Sequence, residues 1–492
     1  MKQTLLSLQK SSPGKRSWIL PHSDVPSFNP ETSLSPDMIR KSPLGLPELA
    51  EVDIVRHYTN LSSQNYGVDN GFYPLGSCTM KYNPKINEDL SNLPGVKDSH
   101  PLWPDQFSQG ALKIISDLEQ ALTEITGMDR FTMQPAAGAH GELTALLIIK
   151  AYFHSKEETC RTKVLIPASA HGTNPASAAM AGFDIETVKC DSQGLVDLGY
   201  LKSLIGPDIA ALMLTNPNTL GLFEKEIKTI AELIHGNGGL LYYDGANMNA
   251  IMGLVRPGDM GFDLVHLNLH KTFATPHGGG GPGAGPVGVK NFLADYLPIP
   301  VLEERSGVYS WNYDRPFSIG KVLGFYGNFT VLLKALAYIN ALGGEGLAQV
   351  SKDAILNANY LRVVLSDYLQ IPYNRPCMHE FVASATNLKS YKVRALDVAK
   401  RLIDFGFHPP TIYFPLIVDE AMMIEPTETE SKATLDHFLA SLVQIITEAK
   451  EVPERLTSAP HQAPISRADE TLAARTSCLI WSPTVNNLNT DK

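Results

Sequence analysis

The sequence predicts an α/β fold with a large domain built on a mainly parallel sheet, followed by a smaller C-terminal α+β domain. Short apolar runs recur at 164–166, 209–214, 240–243 and 264–269. Helical patterns separate some of these runs, which indicates alternating strands and helices. Such alternation favours a parallel sheet covered by helices on both faces, whose ligand site lies at the carboxyl ends of the strands.

Helical periodicity supports the same fold class. Residues 110–126 place five apolar side chains on one helical face, and Gly127 follows as a typical helix end. Further helical patterns cover 143–153, 224–235 and 432–450. The sequence therefore supplies helices between the strands as well as at the end of the smaller domain.

The domain organisation follows from length and composition. A chain of 492 residues exceeds one compact core, because domains usually contain about 100–200 residues. We predict an extended arm at 1–105, a large ligand-binding domain at 106–350, a small domain at 351–455 and a tail at 456–492. The prediction of an arm rests on abundant Pro, Ser and Asn with little periodicity.

Composition excludes several classes of protein. The chain has 41 Lys and Arg against 51 Asp and Glu, a net charge of −10, and no basic block, which disfavours nucleic-acid binding. No apolar run approaches the roughly 18 residues that span a bilayer. Five scattered cysteines without a CxxC pair suit a reducing compartment, so we expect a cytoplasmic protein. The mildly basic N-terminus leaves a transit peptide as an alternative.

Lys271 is the main candidate for a reactive residue. The apolar run that begins at 264 leads into His270-Lys271-Thr272, and the glycine-rich segment 277–288 follows. A lysine at a strand end can form an imine with an aldehyde when its amine is neutral. Glycines let the backbone pass close to a flat ligand. A surface lysine beside a flexible loop is the alternative, but this context favours the reactive lysine.

Asp244 is the second candidate, because it ends the apolar run at 240–243 and precedes small residues that include Ala246. A carboxylate there can pair with a protonated pyridine nitrogen, as pyridoxal 5′-phosphate (PLP) requires, and Ala246 can face the ring. A turn or helix-capping role for Asp244 stays open.

Two loops could complete a cofactor site. Ala136, Ala137 and Gly138 precede a helix, where exposed backbone N–H groups bind phosphate, although a simple tight turn is the alternative. His171 follows the strand at 164–166 and could stack on an aromatic ring. A histidine that only stabilises its own loop is the alternative at that position.

No metal site is predicted. His266, His270 and His277 are close in sequence, but the first two lie on a predicted strand, where residues four apart are distant. No acidic residue completes a set of ligands there. The acidic run 425–430 is interpreted as a solvated loop, at least for its outer carboxylates.

Taken together, these motifs resemble the glycine cleavage system P-protein, the decarboxylating glycine dehydrogenase, and in particular subunit 2 of its two-chain bacterial form. The resemblance covers nearly the whole chain, and even 10–21 is similar to the N-terminal arm of the family, which weakens the transit-peptide alternative. The matching stretches are 73–84, 134–142, 169–177, 214–224, 244–250, 267–289, 318–328, 406–416 and 424–431.

The resemblance implies a type I PLP-dependent transferase fold, similar to that of aspartate aminotransferase. It makes Lys271 the lysine that binds PLP covalently, and it adds His171 as a second catalytic residue. The cofactor contacts that it implies are Lys271, Asp244, Ala246, His171, Ala136, Ala137, Gly138, Thr219 and His270.

The family reaction is decarboxylation of glycine with transfer of the aminomethyl group to the lipoyl arm of H-protein. The resemblance therefore implies glycine and lipoylated H-protein as reactants, and P-protein subunit 1 as the partner in an α2β2 assembly. Another type I PLP decarboxylase or lyase, or a non-catalytic subunit with the same fold, stays open as an alternative.

Overall fold

The computed structural model describes residues 5–16, 21–42, 44–279 and 283–476, and the chain forms two compact units. The smaller unit combines Met1–Asn70 with Gln462–Lys492. Its regular elements are the helices Pro30–Ser33, Glu51–Ser62 and Glu470–Arg475 and the 3-10 turns Ser7–Lys10 and Pro36–Met38. The larger unit, Gly71–His461, contains every candidate residue named above.

A mixed sheet of seven strands forms the centre of the larger unit, as far as the described residues show. Its strands are β1 (Arg130–Thr132), β2 (Lys163–Pro167), β3 (Asp184–Val188), β4 (Ile209–Leu214), β5 (Leu240–Gly245), β6 (Leu264–Leu267) and β7 (Val287–Val289). Their order across the sheet is β1-β7-β6-β5-β4-β2-β3. Strands β2 to β6 are parallel, whereas β7 runs antiparallel to both of its neighbours. The predicted mainly parallel sheet is confirmed.

Several helices of the larger unit pack against this sheet, and the helix Asp105–Thr126 illustrates why they form. Its apolar stripe is buried, with Leu112 and Leu118 both 0% exposed, and Gly127 ends the helix at φ 69°. The remaining helices are Lys85–Ser91, Pro94–Lys97, Gly138–Ser155, Thr173–Met180, Leu198–Leu204, Ile227–Gly236, Leu269–Thr272, Phe329–Leu365, Ala395–Asp404, Lys432–Glu451 and Glu454–Thr457. Gly343 interrupts the longest of them with φ 61° and ψ 179°, a conformation that glycine adopts readily.

Two smaller antiparallel sheets follow later in the chain. The first is a separate hairpin of β8 (Val301–Arg305) and β9 (Val308–Asn312). The second sheet then contains β10 (Phe381–Ser384), β11 (Thr411–Ile412) and β12 (Ala421–Ile424) in the order β10-β12-β11. Buried side chains of β10 and β12 share a hydrophobic cluster with Phe438 of the last long helix, which gives the α+β arrangement that was expected.

The extended character predicted for 1–105 is wrong at Glu51–Ser62 and Lys85–Ser91, which are helical. Lys85–Ser91 has seven residues and only two apolar side chains, so no periodicity stands out there, whereas Glu51–Ser62 carries apolar residues at helical spacing that could have predicted it. Residues 71–105 belong to the larger unit, where Phe72 is buried and Leu75 pairs with Ile424 beside the second sheet. The predicted domain boundaries stay a prediction. No helix in the described part of the chain is long and apolar enough to cross a membrane.

Candidate active site

A cavity of about 210 Å³ lies at the carboxyl ends of β4, β5 and β6. Parallel strands bring their carboxyl ends to one edge of the sheet, which is where ligands bind in α/β folds. The lining residues are Ser77, Gly138, Ala139, Glu142, His171, Thr173, Thr215, Pro217, Thr219, Asp244, Ala246, Asn247, Asn268, His270, Lys271, His379 and Glu380. Seven of the nine predicted site residues therefore meet in one cavity.

Lys271 enters this cavity from a single helical turn, Leu269–Thr272, that directly follows β6. Its Nζ donates a hydrogen bond of 2.7 Å to the backbone carbonyl of Ser77. Ser77 belongs to the stretch 73–84, which contained no predicted site residue. The Lys271 amine therefore has a defined partner from a distant part of the chain.

Asp244 forms a buried anion on β5, with only 3% of its surface exposed. Its Oδ2 accepts a hydrogen bond of 2.9 Å from Asn174 Nδ2, and its Oδ1 accepts one of 3.1 Å from the N–H of Ala246. The Nε2 atom of His266 lies 3.3 Å from Oδ1. Burial alone raises the pKa of Asp244, but His266 and the Asn174 hydrogen bond outweigh it, so the net pKa is lowered. The carboxylate consequently stays ionised and suits a cationic partner.

His171 and Thr219 line the same cavity from the loops that follow β2 and β4. The Nδ1 atom of His171 lies 2.8 Å from Thr173 Oγ1, and Thr219 donates a hydrogen bond of 2.5 Å to the Ser169 carbonyl. Burial, with a further contribution from Lys271, lowers the pKa of His171. A neutral imidazole in this position presents a flat, uncharged ring to a ligand.

Of the predicted phosphate loop, Gly138 reaches the cavity, whereas Ala136 and Ala137 are not among its lining residues. Ala136 donates its N–H to His140 Nδ1 at 3.2 Å, and the Ala137 carbonyl accepts from the N–H of Gly141 at 2.9 Å. A Cβ at Gly138 would lie 2.3 Å from the Asn268 Oδ1 atom, so a larger residue there would have to displace the Asn268 side chain. The helix Gly138–Ser155 thus directs its N-terminus at the cavity through Gly138 and Ala139.

His270 lines the cavity, and its ring lies 5.1 Å from that of His277 between centroids. Burial and the neighbouring His277 lower the pKa of His270 to about 3, and burial with Lys271 lowers that of His277 to about 4. Both rings are therefore neutral. The central part of the glycine-rich segment, 280–282, lies outside the described residues.

Sequence reasoning missed Glu142, which lines the cavity from the first turns of the helix Gly138–Ser155. Its carboxylate accepts hydrogen bonds of 2.8 Å from Thr173 Oγ1 and from Ser177 Oγ. Burial and the nearby charge of Asp244 raise the pKa of Glu142 to about 7. An acidic residue at the start of an otherwise apolar helix was the signal that could have identified it.

His379, Glu380 and Glu425 form a second group that sequence reasoning missed. Glu380 precedes β10 and Glu425 follows β12, and possible ligand atoms of all three residues lie within 4.8 Å of one another. That spacing could hold a metal ion, but both carboxylates already accept hydrogen bonds from the backbone of the 77–79 segment. His379 and Glu380 line the cavity, so the group is part of the same site.

The interpretation of 425–430 as a solvated loop is wrong. Glu425 is 0% exposed, and Glu428 forms an ion pair of 2.9 Å with the buried Nζ of Lys81. Lys81 also donates to Asn249 and Tyr338, which completes its three hydrogen bonds. The run reads as polar in the sequence because its cationic and amide partners come from distant segments.

The residues present fit PLP. A primary amine, a buried carboxylate and the N-terminus of an 18-residue helix face one cavity, matching the aldehyde, the pyridine nitrogen and the phosphate of that cofactor. His270 Nδ1 is buried and has no hydrogen-bond partner among the described residues, which leaves it available to a ligand. The individual contact assignments stay predictions.

Replacing Glu142 with glutamine is expected to remove a pH-dependent loss of stability. A carboxyl whose pKa is higher in the folded than in the unfolded chain stabilises the fold below the unfolded value, and this contribution is lost as pH rises through about 7. Relative to the Glu142→Gln variant, the native chain should therefore lose about 2 kcal/mol of unfolding free energy between pH 5 and pH 8.

Denaturant unfolding at both pH values measures this difference, with Glu232→Gln as the control because Glu232 is an exposed residue of the helix Ile227–Gly236. The Glu232→Gln control should show the same change in unfolding free energy between pH 5 and pH 8 as the native chain. A constant gap between the Glu142→Gln variant and the native chain from pH 5 to pH 8 would contradict the assignment of a raised pKa.

Comparison with known protein families gives two matches that together cover most of the chain. A profile described as "Glycine cleavage system P-protein" matches residues 28–301, more than half of the sequence. A second profile, "Glycine dehydrogenase, C-terminal domain", matches residues 350–469.

The chain is also similar to whole proteins. It is 60% identical to a "Probable glycine dehydrogenase (decarboxylating) subunit 2" of Caldanaerobacter subterraneus, over 97% of this chain and 98% of that protein. A protein of the same name from Listeria innocua is 57% identical over 96% of each chain.

Among solved structures, a glycine decarboxylase (P-protein) in inhibitor-bound form matches with a TM-score of 0.72 at 20% identity, over 87% of this chain and 99% of that one. A NifS-like protein matches with a TM-score of 0.59 at 15% identity, over 77% of this chain and 99% of that one. These likenesses confirm the predicted fold class.

Proposed function

Because the chain belongs to the glycine cleavage system P-protein family, we propose that it is subunit 2 of a PLP-dependent glycine dehydrogenase (decarboxylating). It removes CO2 from glycine and passes the remaining aminomethyl group to the lipoyl arm of H-protein. The observation that carries this proposal is the single cavity into which both the Lys271 amine and the buried Asp244 carboxylate project.

The cofactor is held by residues of the cavity. Lys271 would bind it covalently, Asp244 would accept a hydrogen bond from its pyridinium nitrogen, and His171 would stack on its ring. Gly138, at the N-terminus of the helix Gly138–Ser155, would hold its phosphate. The further proposed contacts are Ala246, Thr219, His270, Ala136 and Ala137. When bound, PLP supplies an electron sink for the electron pair that glycine retains as CO2 leaves.

Side chains of the cavity carry out the rest of the reaction. The lowered pKa of Asp244 keeps its carboxylate ionised, and this charge would favour a proton on the pyridine nitrogen. Lys271, once its amine is released, can accept and donate a proton. Asp244, Thr219 and Asn268 are 3%, 5% and 7% exposed, so this part of the wall would shield the reacting carbon from solvent.

A partner chain is part of the proposal. The relatives carry "subunit 2" in their names, which implies a system of two subunits. We place P-protein subunit 1 beside this chain in an α2β2 assembly, with lipoylated H-protein as the acceptor. A cytoplasmic location agrees with Cys78, Cys160, Cys190 and Cys377, all of which are free thiols.

Mass spectrometry of the borohydride-reduced protein tests the cofactor assignment. Protein supplied with PLP, reduced and digested should carry a phosphopyridoxyl group on Lys271. Lys81 is the internal control, because it is also buried but its amine is fully hydrogen-bonded away from the cavity. Protein that binds PLP elsewhere, or not at all, would refute the proposal.

Exchange of labelled bicarbonate into the carboxyl group of glycine tests the reaction. The chain alone should bind PLP but exchange slowly, whereas addition of subunit 1 and lipoylated H-protein should restore exchange. Turnover of another amino acid in preference to glycine would favour a different type I decarboxylase. PLP binding without exchange in the full mixture would favour a non-catalytic subunit.

A further inference from the structure

The segment 76–79 lies directly beside Lys271 in an uncommon backbone conformation. Ser77 and Thr79 have φ angles of 61° and 44°, although neither is glycine. L-residues rarely adopt this left-handed region, and such strain persists only where surrounding contacts enforce it. The conformation turns the Ser77 carbonyl toward Lys271 Nζ, which donates a hydrogen bond to it.

Two buried carboxylates hold this segment. Glu380 Oε2 accepts a hydrogen bond of 2.7 Å from the N–H of Ser77, and Glu425 Oε2 accepts one of 3.1 Å from the N–H of Thr79. Glu425 Oε1 also accepts 2.7 Å and 2.9 Å bonds from Thr79 Oγ1 and Asn247 Nδ2. Each N–H of a left-handed residue therefore meets a side-chain acceptor.

The second sheet fixes both carboxylates relative to each other. Phe381 of β10 pairs with Ile424 of β12 at the end of the two strands. Glu380 and Glu425 are the next residues beyond this pair, so they lie at the same end of the sheet. They are 3% and 0% exposed. Burial, together with Glu425, raises the pKa of Glu380 well above its usual value. Two carboxyl groups buried this close together destabilise the fold, which points to a role in function.

The start of the segment is attached to the same sheet. The N–H of Gly76 donates to the Met423 carbonyl at 3.2 Å, and Thr411 Oγ1 donates to the Gly76 carbonyl at 2.8 Å. A Cβ at Gly76 would lie 2.7 Å from the Met423 carbonyl oxygen, so the backbone approach requires glycine. The segment therefore cannot shift without moving the sheet edge.

We propose that the segment 76–79 is a docking position for the Lys271 amine, and that Glu380 and Glu425 are positioning residues that hold its acceptor carbonyl in place. This inference rests on the proposed function in taking Lys271 as the cofactor lysine. Whenever its amine is not bound to the cofactor, Lys271 returns to the Ser77 carbonyl. A fixed location keeps the amine oriented for proton transfer and for return to the cofactor.

Acylation of Lys271 in the full-length chain, freed of cofactor, tests the docking position. A brief pulse of N-acetoxysuccinimide at fixed pH is followed by peptide mass spectrometry, with exposed Lys225 as the internal reference. Loss of one hydrogen bond to the segment should raise the relative acylation rate of Lys271 about fivefold. Circular dichroism establishes that each variant is folded.

Three variants of Glu380 separate positioning from charge. Glu380→Gln removes the ionisable carboxyl group but keeps an oxygen for the N–H of Ser77, so the acylation rate of Lys271 should stay near that of the native chain. Glu380→Asp keeps an ionisable carboxyl group but is one methylene too short. The acylation rate of Lys271 should therefore rise as much as in Glu380→Ala, which loses the hydrogen bond to Ser77. The opposite pattern, with Gln fast and Asp slow, would show that charge alone acts on Lys271 and would overturn the proposal.

Glu224→Ala is the matched control. Glu224 is equally buried and accepts a 2.8 Å hydrogen bond from the N–H of Val196, outside the cavity lining. Its loss should leave Lys271 acylation unchanged, and a rise equal to that of Glu380→Ala would mean general loosening and refute positioning. If borohydride reduction leaves a phosphopyridoxyl group on Lys271 but no Glu380 variant alters the acylation rate, only this inference is refuted. If reduction leaves no phosphopyridoxyl group on Lys271, the proposed function is refuted, whatever the acylation rates are.

Discussion

Replacement of Lys271 with alanine is expected to reduce glycine–bicarbonate exchange by at least about a thousandfold, because one change removes both the covalent attachment of PLP and a proton-transfer group. Arginine at this position should be equally inactive, since a guanidinium keeps the charge but does not form the covalent link. Exchange is measured with subunit 1 and H-protein present. The absorbance spectrum of the bound cofactor, measured in the same samples, should differ between the inactive variants and the native chain.

The control for this prediction is Lys225→Ala, which removes an exposed lysine that does not line the cavity. It should retain native exchange. Because Lys271 also contacts the Ser77 carbonyl, its removal could loosen the segment 76–79, so thermal unfolding of both variants is compared. A Lys271→Ala variant that exchanges within about tenfold of the native rate would show that Lys271 is not the reactive lysine.

Replacement of Asp244 with asparagine is expected to lower kcat by about a hundred- to thousandfold while PLP remains bound, an increase of about 3–4 kcal/mol in the activation barrier. An amide cannot keep a proton on the pyridine nitrogen. The amide NH2 group would also face a hydrogen-bond donor, either Asn174 Nδ2 or the N–H of Ala246. In the native chain both of these groups donate to the Asp244 carboxylate. Saturation kinetics with excess PLP measure kcat separately from cofactor affinity.

Asp263→Asn provides a matched comparison. Asp263 is also a buried aspartate; it accepts a 2.8 Å hydrogen bond from the N–H of Leu241 and lies 2.8 Å from His235 Nε2, near the amino ends of β5 and β6. Its replacement should affect stability and leave kcat close to native. Equal losses of kcat in both variants would mean that Asp244 acts through the fold and not on the cofactor.

Asp244 and Glu142 both line the cavity, but they carry different charges below about pH 7. The hydrogen bonds and His266 that surround Asp244 keep its pKa low, whereas burial and Asp244 raise the pKa of Glu142 to about 7. Below that pH Glu142 is neutral and can donate a proton.

The sequence by itself determined four of the seven strands and the two central residues of the candidate site. Apolar runs marked β2, β4, β5 and β6, and the polar residues that ended two of them, Asp244 and Lys271, are the ones that line the cavity. Local periodicity encodes such features, because side chains two to four positions apart share one face of a strand or helix. The carboxyl ends of parallel strands then bring them together without further information.

Only the tertiary structure decided what surrounds Lys271. Its partner Ser77 is 194 positions away in the chain, and Glu380 and Glu425 lie 303 and 346 positions from the backbone groups that they bind. No local pattern reports on contacts of that separation, so the acidic run at 425–430 suggested solvent exposure when its first carboxylate is fully buried. Packing of the second sheet against the segment 76–79 turns these scattered polar residues into one wall of the site.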